Sequence, residues 1–561
     1  MNKEIKTALL LTSFIILTHL SYVSNGFVWL DHMDITEKAA VIPLDQWYKA
    51  FLSNYGFTGF YRPIISIIHS VNAHVFGENA VYYHLLNLLF HIMVSGLAVV
   101  FISIFSELKR TEKYLVYLIV GVHSVSWFTV GAIAHLPELL MTLFTMATVV
   151  IYAKGGNGWV MTLSAVLALF SKETSLVYIP TFILLWYMVL YQAKIVKKRK
   201  GVSAFFSGLC NKRSFLIGGV LAGYLILRFN PALQLWKAQA TSLSFSRTVG
   251  TRVYVIGRLL GNLISPFSPS NSDSVTIIQI VDWRVLLTLI VLCGLALVVR
   301  RLGFKHGVSL SLLMLAVALS PSLNIVPLPR FYSINYVYFA TIPFAFLVIS
   351  FLKMLSQKKG VYRLNLLILG IWLIIMSIST FNAGFRLKND EELFLPAVKA
   401  DNSFLEGHFY LGNYYFAQKD FETAKGHYQA ALSANPTQIV YVDKRATAVN
   451  LAGIYVIQNQ LNDASMLLNQ ASIGASGKQS AYIAYNRALI HARKGNPAEV
   501  VAILNPFIDR SLHINSLLLW SEALVRLGNK KLAVETIKQK LSRVSYSDQK
   551  ILQQWLDTNN R

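Results

Sequence analysis

Charged side chains are scarce in this sequence. Asp, Glu, Lys and Arg together make up 14% of the 561 residues, whereas 54% are hydrophobic. Soluble globular domains carry about 25% charged residues. The mean hydropathy of +0.49 is also far above that of a soluble fold. The shortage of charge therefore excludes a soluble globular protein for most of the chain, and it predicts an integral membrane protein.

Cysteine is nearly absent, and several motifs of catalytic sites are missing. The two cysteines, Cys210 in a basic loop and Cys293 in an apolar run, are too differently placed for a disulfide framework. The sequence contains no glycine-rich phosphate loop, no zinc-type spacing of cysteine and histidine, and no nucleophile elbow. A nucleotide-binding site of these kinds is therefore not expected. No metal ligands and no firm cofactor are predicted, and a divalent metal stays an open alternative.

Acidic residues are few. The sequence contains 27 Asp and Glu and 51 Lys and Arg, which gives a net charge of +24. The basic residues occur in short runs between apolar segments, as in the cluster at 194–200. This placement is typical of the cytoplasmic loops of a membrane protein. It argues against a nucleic-acid partner.

Apolar stretches of spanning length, roughly 17 to 25 residues, recur as far as residue 381. They predict an all-α polytopic membrane domain, residues 1–382, with about eleven transmembrane helices. Residues 248–266 contain Arg252 and Arg258 and directly follow Arg247. Placing this stretch as an amphipathic helix in the membrane interface puts every basic cluster on the cytoplasmic side. The predicted spans are residues 7–25, 80–105, 113–131, 136–153, 158–171, 175–193, 214–229, 284–300, 307–325, 334–352 and 363–381.

This threading puts the N-terminus on the inner side of the membrane and the C-terminus on the outer side. Four features then share the outer face: the loop 26–79, the SKET turn at 171–174, the PLPRFY turn at 327–332, and all residues after 382. We therefore expect one catalytic chamber, surrounded by membrane lipids, to contain residues from all of them.

The C-terminal part, residues 401–561, follows a linker at 383–400 and shows a repeat. Small and aromatic residues recur at the spacing of tetratricopeptide repeats, in which small residues let two antiparallel helices approach closely. Two copies consist of Leu411, Gly412, Tyr415, Ala424, Tyr428, Ala431 and Pro436, and of Leu451, Ala452, Tyr455, Ala464, Leu468 and Ala471. Weaker copies follow near Ala488 and Ser521. The pattern predicts an α-solenoid of three or four repeats, a fold that binds peptides or proteins.

The first outer loop opens with GFVWLDHMDI, which places Asp31 and Asp34 at the membrane surface directly after the first span. A carboxylate beside a membrane chamber can act as general base for an acceptor hydroxyl, because partial desolvation raises its basicity. A solvated helix cap is the alternative interpretation of these residues.

A family resemblance covers nearly the whole chain. It rests on five strings that precede the repeats: GFVWLDHMDI, FYRPIISIIHSVNAHVFGENAVYYHLLNLLFH, HLPELLMTLFTMATVVIY, ALFSKETSLVYIP and PSLNIVPLPRFYSINYVYFA. In this order they resemble the transmembrane and tetratricopeptide-repeat containing proteins and their bacterial relatives, which are members of the GT-C glycosyltransferase superfamily. Protein O-mannosyltransferases belong to the same superfamily.

The resemblance implies roles for three acidic residues. Members of the family carry a pair of acids after the first span, and one of them is the catalytic base. The matching positions here are Leu30 and Asp31, so Asp31 is the preferred base and Asp34 the substitute. An acid at the start of the fourth span corresponds to Glu138, which is expected to orient the acceptor or a metal.

Cations are required because breaking the bond between sugar and phosphate releases an anionic lipid phosphate. The predicted phosphate-binding residues are Lys172, Arg330 and Arg62. Glu173 lies beside Lys172 in the SKET motif, and an interfacial snorkelling pair is the alternative for these two. His84 and Asn87 share one face of the second span, where they either contact the acceptor or hold helices together.

The resemblance thus implies an inverting glycosyltransferase that takes mannose or another hexose from a polyprenyl-phosphate carrier. The acceptor is a serine or threonine of a protein recruited by the repeats. Transfer to a lipid or an envelope glycan, a transporter, and a non-catalytic scaffold stay as alternatives. We expect a multi-pass protein of the bacterial inner membrane whose active site and repeats face the periplasm.

Overall fold

The computed structural model describes most of the chain: residues 3–36, 41–55, 60–195, 209–231, 244–272, 274–324, 330–355, 359–433, 438–439, 442–475, 477–508, 514–541 and 546–559. Three predicted features fall partly outside these ranges, namely the basic cluster at 196–200, the residues 327–329 of the PLPRFY turn, and Pro436. The chain divides into two compact units. One contains Met1–Ala397 with Pro436–Val440, and the other contains Val398–Asn435 with Tyr441–Arg561.

The first unit is helical, as predicted. Its helices are α1 (Lys3–Val23), α2 (Pro63–Phe76), α3 (Ala80–Ser103), α4 (Arg110–Val122), α5 (Ser126–Gly131), α6 (Leu136–Lys154), α7 (Gly158–Ser171), α8 (Ser175–Ile195), α9 (Lys212–Arg228), α10 (Phe245–Ile264), α11 (Trp283–Leu302), α12 (Gly307–Leu319), α13 (Thr341–Leu355), α14 (Lys359–Gly384) and α15 (Asp390–Ala400). The last helix continues into the second unit. Two strands of two residues each, Val275–Thr276 and Gln438–Ile439, pair antiparallel.

Five described helices are long and apolar enough to cross a membrane: Lys3–Val23, Ala80–Ser103, Ile133–Lys154, Trp283–Leu302 and Gly360–Leu387. Four other predicted spans fall on shorter apolar helices, and the spans at 113–131 and 214–229 fall on helices that do not meet these criteria. The structure therefore supports a membrane protein with five candidate spans, and the count of eleven stays a prediction.

Two features of the first unit differ from the sequence-based prediction. The expected span 113–131 is two helices, α4 and α5, because the backbone leaves the helical conformation at His123 (φ −58°, ψ 131°). The predicted outer loop 26–79 contains the apolar helix α2, which begins with Pro63 at its first position, where a missing N–H costs nothing. The mean hydropathy over a window of spanning length changes little at a three-residue break, and it does not identify a helix that is too short to span.

Helix α1 packs closely against α14, and this contact fixes the start of the segment that follows α1. A Cβ on Gly384 would collide with Ser21 and Tyr22, so only glycine permits this approach. Asn25 donates a hydrogen bond to the Gly384 carbonyl at 2.8 Å, and the Tyr22 hydroxyl donates to the Thr380 carbonyl at 3.0 Å. These buried bonds hold the segment after residue 25 at a defined place above the helix pair.

The described part of the second unit consists of four helical hairpins and a final helix. The hairpins are α16 (Leu405–Ala417) with α17 (Phe421–Leu432), α18 (Lys444–Ile457) with α19 (Leu461–Ser472), α20 (Lys478–Arg493) with α21 (Pro497–Ile508), and α22 (Ile514–Arg526) with α23 (Lys530–Leu541), followed by α24 (Tyr546–Asn559). The small residues predicted from the repeat, among them Ala424, Ala452 and Ala464, are fully buried between helices. Three hydrophobic clusters thus join neighbouring hairpins.

The first hairpin depends on glycine at position 412. A Cβ there would lie 2.6 Å from the ring of Tyr428, which is buried between α16 and α17. Overpacking of this kind costs about 1–3 kcal/mol. We expect Gly412→Ala to make the first hairpin markedly more sensitive to limited proteolysis of the full-length protein. Gly426→Ala is the matched control, because a Cβ at Gly426 meets no atom within 4 Å; equal sensitivity of the two variants would contradict this packing.

Candidate functional site

One cavity of the first unit brings together five of the predicted site residues. They are Arg62, Glu138, Lys172, Glu173 and Arg330. The rest of the wall is mainly aromatic and apolar and includes Trp29, Leu30, Phe60, Tyr178, Tyr336 and Phe339. The cavity thus combines three cations and two carboxylates with rings of the kind that pack on a sugar.

Glu138 occupies the centre of the charged part of the cavity. It lies in the first turn of α6, where the positive end of the helix dipole favours a carboxylate. Lys172 donates a hydrogen bond to its Oε1 at 2.5 Å, and the Asn335 amide donates to the same oxygen. His135 Nδ1 lies 3.7 Å from Oε2. Because Glu138 and Lys172 are 4% and 7% exposed, each charge compensates the other in a place with little water.

Arg62 and Glu173 form a second ion pair in the cavity wall. The guanidinium donates to the Glu173 carboxylate at 3.0 and 3.3 Å, and it stacks 4.1 Å from the centre of the Phe60 ring. Burial opposes ionisation of Glu173, but the charge and hydrogen bonds of Arg62 outweigh it, so the pKa of Glu173 is below its usual value. Burial likewise opposes the charge of Arg62, but Glu173 raises its pKa above the usual value. Both groups are therefore charged at neutral pH.

Arg330 reaches the cavity over the ring of Trp29, 4.8 Å from its centre. Trp29 has a positive φ of 55°, a backbone conformation that is uncommon for a bulky residue. Its backbone N–H donates to Asp390 Oδ1 at 2.6 Å, and His32 Nε2 lies 3.3 Å from Asp390 Oδ2. Asp390 is buried and begins α15. It therefore holds the Trp29 backbone in a conformation that the residue alone would rarely adopt.

Sequence reasoning missed Asp390, which lies inside the predicted linker 383–400. The one available signal was its position at the start of DEELF, where an acid in the first turn of a helix is favourable. Nothing in the sequence indicates that a residue 361 positions away from Trp29 is its hydrogen-bond partner.

The two predicted bases, Asp31 and Asp34, do not line the cavity. The Asp31 carboxylate is fully buried and accepts hydrogen bonds from the N–H groups of Ala134 at 2.7 Å and Val28 at 3.3 Å. Asp34 is buried and accepts a hydrogen bond from the Tyr55 hydroxyl at 2.6 Å. Asp31 therefore ties the turn after α1 to the turn before α6, and Leu30 is the neighbour that faces the cavity. Their role as a base stays a prediction.

Burial raises the pKa of Asp31 from 3.8 to about 7, although the bonds from Ala134 and Val28 oppose the shift. Between these two pH values the folded state retains a proton that the unfolded state releases. The contribution of Asp31 to stability is thus complete below pH 3.8 and is lost as the pH rises to about 7. The side chain of the Asp31→Asn variant cannot ionise. At every pH it accepts only one of the two hydrogen bonds from the backbone N–H groups, because its amide has a single oxygen.

We therefore expect the melting temperature of Asp31→Asn in detergent to rise relative to wild type by several degrees between about pH 4.5 and about pH 7.5. Intrinsic fluorescence during heating measures both proteins. A difference between the two melting temperatures that does not change with pH would show that Asp31 is ionised throughout, and would contradict the raised pKa.

The polar stripe on α3 makes hydrogen bonds to backbone carbonyl groups beside the cavity. His84 Nε2 lies 3.3 Å from the carbonyl oxygen of Gly26, and the Asn87 amide donates to the carbonyls of Val130 and Ala132 at 3.3 and 3.2 Å. Neither residue lines the cavity. Within the described ranges, no three His, Cys, Asp or Glu side chains are arranged to hold a metal ion. The carboxylates of the cavity pair with Lys172 and Arg62 instead.

Comparison with known proteins gives two similarities. Residues 405–438 match the family model described as tetratricopeptide repeat, which confirms the first predicted repeat. A segment of 194 residues, 32% of this chain, is 25% identical to a Caenorhabditis elegans protein named as a protein O-mannosyl-transferase. That segment covers 28% of the length of the relative. No solved structure matches the chain. The chain is thus similar to a tetratricopeptide-repeat protein at its C-terminal part and distantly similar to a mannosyltransferase.

Proposed function

We propose that the chain is a membrane glycosyltransferase that moves mannose or another hexose from a polyprenyl-phosphate carrier to a serine or threonine of a protein. One observation carries the proposal: Lys172, Arg330 and Arg62 converge with Glu138 on a single cavity of the apolar unit. Such a cavity suits a substrate with an anionic phosphate, a sugar and an apolar tail. The name of the distant relative, protein O-mannosyl-transferase, supports the same class of reaction.

The cations of the cavity are suited to the departing phosphate. When the acceptor oxygen bonds to the anomeric carbon, the bond from that carbon to the phosphate oxygen breaks, and this oxygen takes the electron pair. The resulting negative charge is stabilised by fixed cations more strongly in a buried cavity than in water. Lys172 and Arg330 are the proposed contacts of the phosphate, and Arg62, paired with Glu173, adds positive charge to the cavity wall.

The geometry favours Glu138 over Asp31 as the group that takes the proton of the acceptor hydroxyl. A base must come within hydrogen-bond distance of that hydroxyl. Glu138 lines the cavity, and Asp31 does not. Leu30 lines it instead, and Leu30 stands at the position where the resembling family carries its first acid. The single displacement inverts the anomeric carbon, and Glu138 ends the step protonated beside Lys172. In this proposal Asp31 positions the turn that precedes Glu138.

The topology is part of the proposal. The six predicted spans that fall on shorter or less apolar helices are proposed to cross the membrane together with the five long ones, and the cavity to open on the outer face. In this orientation Arg110 and Lys113, and Arg300 and Arg301, would lie on the cytoplasmic side, as the positive-inside rule expects of basic loops. The proposed location is the bacterial inner membrane, with the active site and the repeats in the periplasm.

The second unit is proposed to recruit the acceptor protein. Tetratricopeptide repeats form a concave surface that binds peptides or proteins, and residues 405–438 match the repeat model. A lipid or glycan acceptor would not need such a surface. The repeats therefore favour a polypeptide acceptor.

The proposal is tested by mass spectrometry of envelope proteins from cells that contain wild type, Glu138→Gln, Asp31→Asn or Glu107→Gln at equal membrane abundance. The control for Glu138→Gln is the same exchange at Glu107, an exposed residue of the first unit that does not line the cavity. We expect hexose on serine or threonine in wild type and Glu107→Gln, none in Glu138→Gln, and a reduced amount in Asp31→Asn. Hexose that persists in Glu138→Gln would exclude Glu138 as base, and protein hexosylation independent of the gene would exclude the proposed activity.

A further inference from the structure

Three side chains in the wall of the charged cavity each have a buried polar atom without a hydrogen-bond partner in the described part of the chain. These atoms are His135 Nε2, Thr142 Oγ1 and Thr174 Oγ1. Thr142 is fully buried, and His135 is 5% exposed. A buried polar atom without a partner is rare and unfavourable, so three of them around one cavity indicate that a bound molecule supplies the missing hydrogen bonds.

Other hydroxyl groups of the same wall are bonded within the protein. The Tyr178 hydroxyl donates to the Ala318 carbonyl at 2.8 Å, and the Tyr336 hydroxyl donates to the Arg330 carbonyl at 3.2 Å. Thr142 differs from both tyrosines, because no described group forms a hydrogen bond with its hydroxyl.

The three threonines of α6 show what distinguishes Thr142. Thr148 donates to the carbonyl of Phe144 at 2.8 Å, which is the usual hydrogen bond of a threonine inside a helix. Thr145 is fully buried and, like Thr142, has no partner among the described residues, but it does not line the cavity. An unpartnered hydroxyl is therefore not a site by itself. Thr142 combines such a hydroxyl with a position on the cavity wall.

The chemistry of the proposed donor assigns Thr142 to the sugar. The phosphate carries charge and is matched by the cations of the cavity, and the hydrocarbon tail has no hydrogen-bonding group. The sugar has neutral hydroxyls, each of which can both donate and accept a hydrogen bond. A neutral threonine hydroxyl is complementary to this part of the donor.

The position of Thr142 on α6 indicates which edge of the sugar it meets. Thr142 lies four residues after Glu138, so the two residues share one face of the helix. Four residues rise about 6 Å along the helix axis. The proposed base Glu138 acts on the acceptor oxygen that attacks the anomeric carbon, C1. A pyranose ring with C1 near Glu138 therefore presents its opposite edge, which carries the C3 and C4 hydroxyls, to Thr142.

We propose that Thr142 is a specificity-determining residue, whose hydroxyl forms a hydrogen bond with the C3 or C4 hydroxyl of the hexose. The inference rests on the proposed function and names the part of the sugar that the cavity selects. A site that bonds a substrate hydroxyl rejects the analogue that lacks it, because the polar group of the site then stays buried and unpaired. His135 and Thr174 supply further hydrogen bonds to the same ring.

The variants Thr142→Val and Thr145→Val form a matched pair. Valine keeps the shape of threonine and replaces the hydroxyl by a methyl group. Both hydroxyls are buried without a described partner, so their loss should not destabilise the protein. We expect melting temperatures in detergent equal to or above that of wild type for both variants. A markedly lower melting temperature of Thr142→Val alone would show that its hydroxyl has a structural role, and would overturn the proposal.

The experiment measures kcat/KM of the full-length protein in nanodiscs with an acceptor polypeptide that contains serine and threonine. The donor is the polyprenyl-phosphate hexose, among mannose, glucose and galactose, that wild type uses best, together with its 3-deoxy, 4-deoxy and 6-deoxy forms. Wild type should prefer the parent donor over the 3-deoxy or the 4-deoxy form by about tenfold or more. In Thr142→Val this preference should fall about tenfold, whereas Thr145→Val should keep it.

The outcomes separate this proposal from the proposed function. An unchanged preference in Thr142→Val, or an equal change in Thr145→Val, would overturn the role of Thr142. A change confined to the 6-deoxy donor would also overturn it, because Thr142 would then meet another edge of the ring. In each of these cases wild type still transfers hexose, and the proposed function stands. No turnover of any parent donor by wild type would overturn the proposed function and the role of Thr142 together.

Discussion

Replacing Lys172 by methionine is expected to reduce glycosyl transfer about a hundredfold or more, since removal of one fixed group that stabilises developing charge has effects of this size. Lys172 lies in the cavity wall, 7% exposed, with its Nζ 2.5 Å from Glu138. Methionine keeps the length of the side chain and removes the charge. The departing phosphate then loses a cation that no solvent replaces. Release of sugar from a labelled lipid donor measures the effect.

The same substitution leaves the Glu138 charge buried without its cation, which destabilises a protein by about 3–5 kcal/mol. The double variant Lys172→Met with Glu138→Gln removes both charges. It should recover a melting temperature near that of wild type and still lack transfer. Lys154→Met, an exposed lysine at the end of α6, is the matched control. If the double variant regained activity, or if Lys172→Met were as active as Lys154→Met, the cation would have no role in the reaction.

Replacing Arg330 by glutamine is expected to lower kcat/KM for the lipid donor about a hundredfold with little loss of stability. Arg330 is partly exposed, and its guanidinium faces the cavity over Trp29. The negative charge on the departing phosphate oxygen is larger in the transition state than in the bound donor. Loss of Arg330 should therefore lower kcat as well as raise KM. Steady-state kinetics with a range of donor concentrations separate the two constants.

Arg301→Gln is the control for this prediction, because Arg301 is an exposed residue at the end of α11. It should have the kinetic constants of wild type. A rise in KM alone for Arg330→Gln would reduce its role to binding of the donor in the ground state. Unchanged kinetics would place the phosphate away from Arg330.

Local sequence patterns predicted the parts of the fold that depend on local chemistry. Long apolar runs gave the helices of the first unit, and small residues at fixed spacing gave the hairpins of the second. Hydropathy failed at 113–131, because a break of three residues at His123 does not change the mean over a window of spanning length. Helix α2 within the loop 26–79 is apolar but shorter than a span, so a search for spans passes over it.

In the candidate site, too, the features set by local sequence could be predicted and those set by distant contacts could not. Residues in motifs of the resembling family, such as Lys172 and Arg330, lie on the cavity, because the turns at the helix ends converge there. The direction of the turn at residues 28–31 could not be predicted, because it depends on the distant partners Ala134 and Asp390. This turn decides that Leu30 faces the cavity and Asp31 does not. A pattern identifies a segment, whereas the orientation of each carboxylate is set by tertiary hydrogen bonds.

The relation between Trp29 and Asp390 adds a structural requirement to the proposed chemistry. Asp390 supports the positive φ of Trp29, and the Trp29 ring in turn lies beneath Arg330. The first residues of α15 therefore contribute to the position of a proposed phosphate contact. A segment that composition alone assigns to a linker belongs to the structural support of the cavity.

The central claim is that the cavity around Glu138 uses a lipid-linked sugar. It is tested most directly with purified protein in nanodiscs, a radiolabelled polyprenyl-phosphate mannose and a serine- and threonine-containing acceptor polypeptide. The account predicts transfer of label to the polypeptide by wild type, with release of polyprenyl phosphate in equal amount, and no transfer by Glu138→Gln. Equal transfer by the two proteins, or no turnover of any polyprenyl-phosphate hexose by wild type, would contradict it.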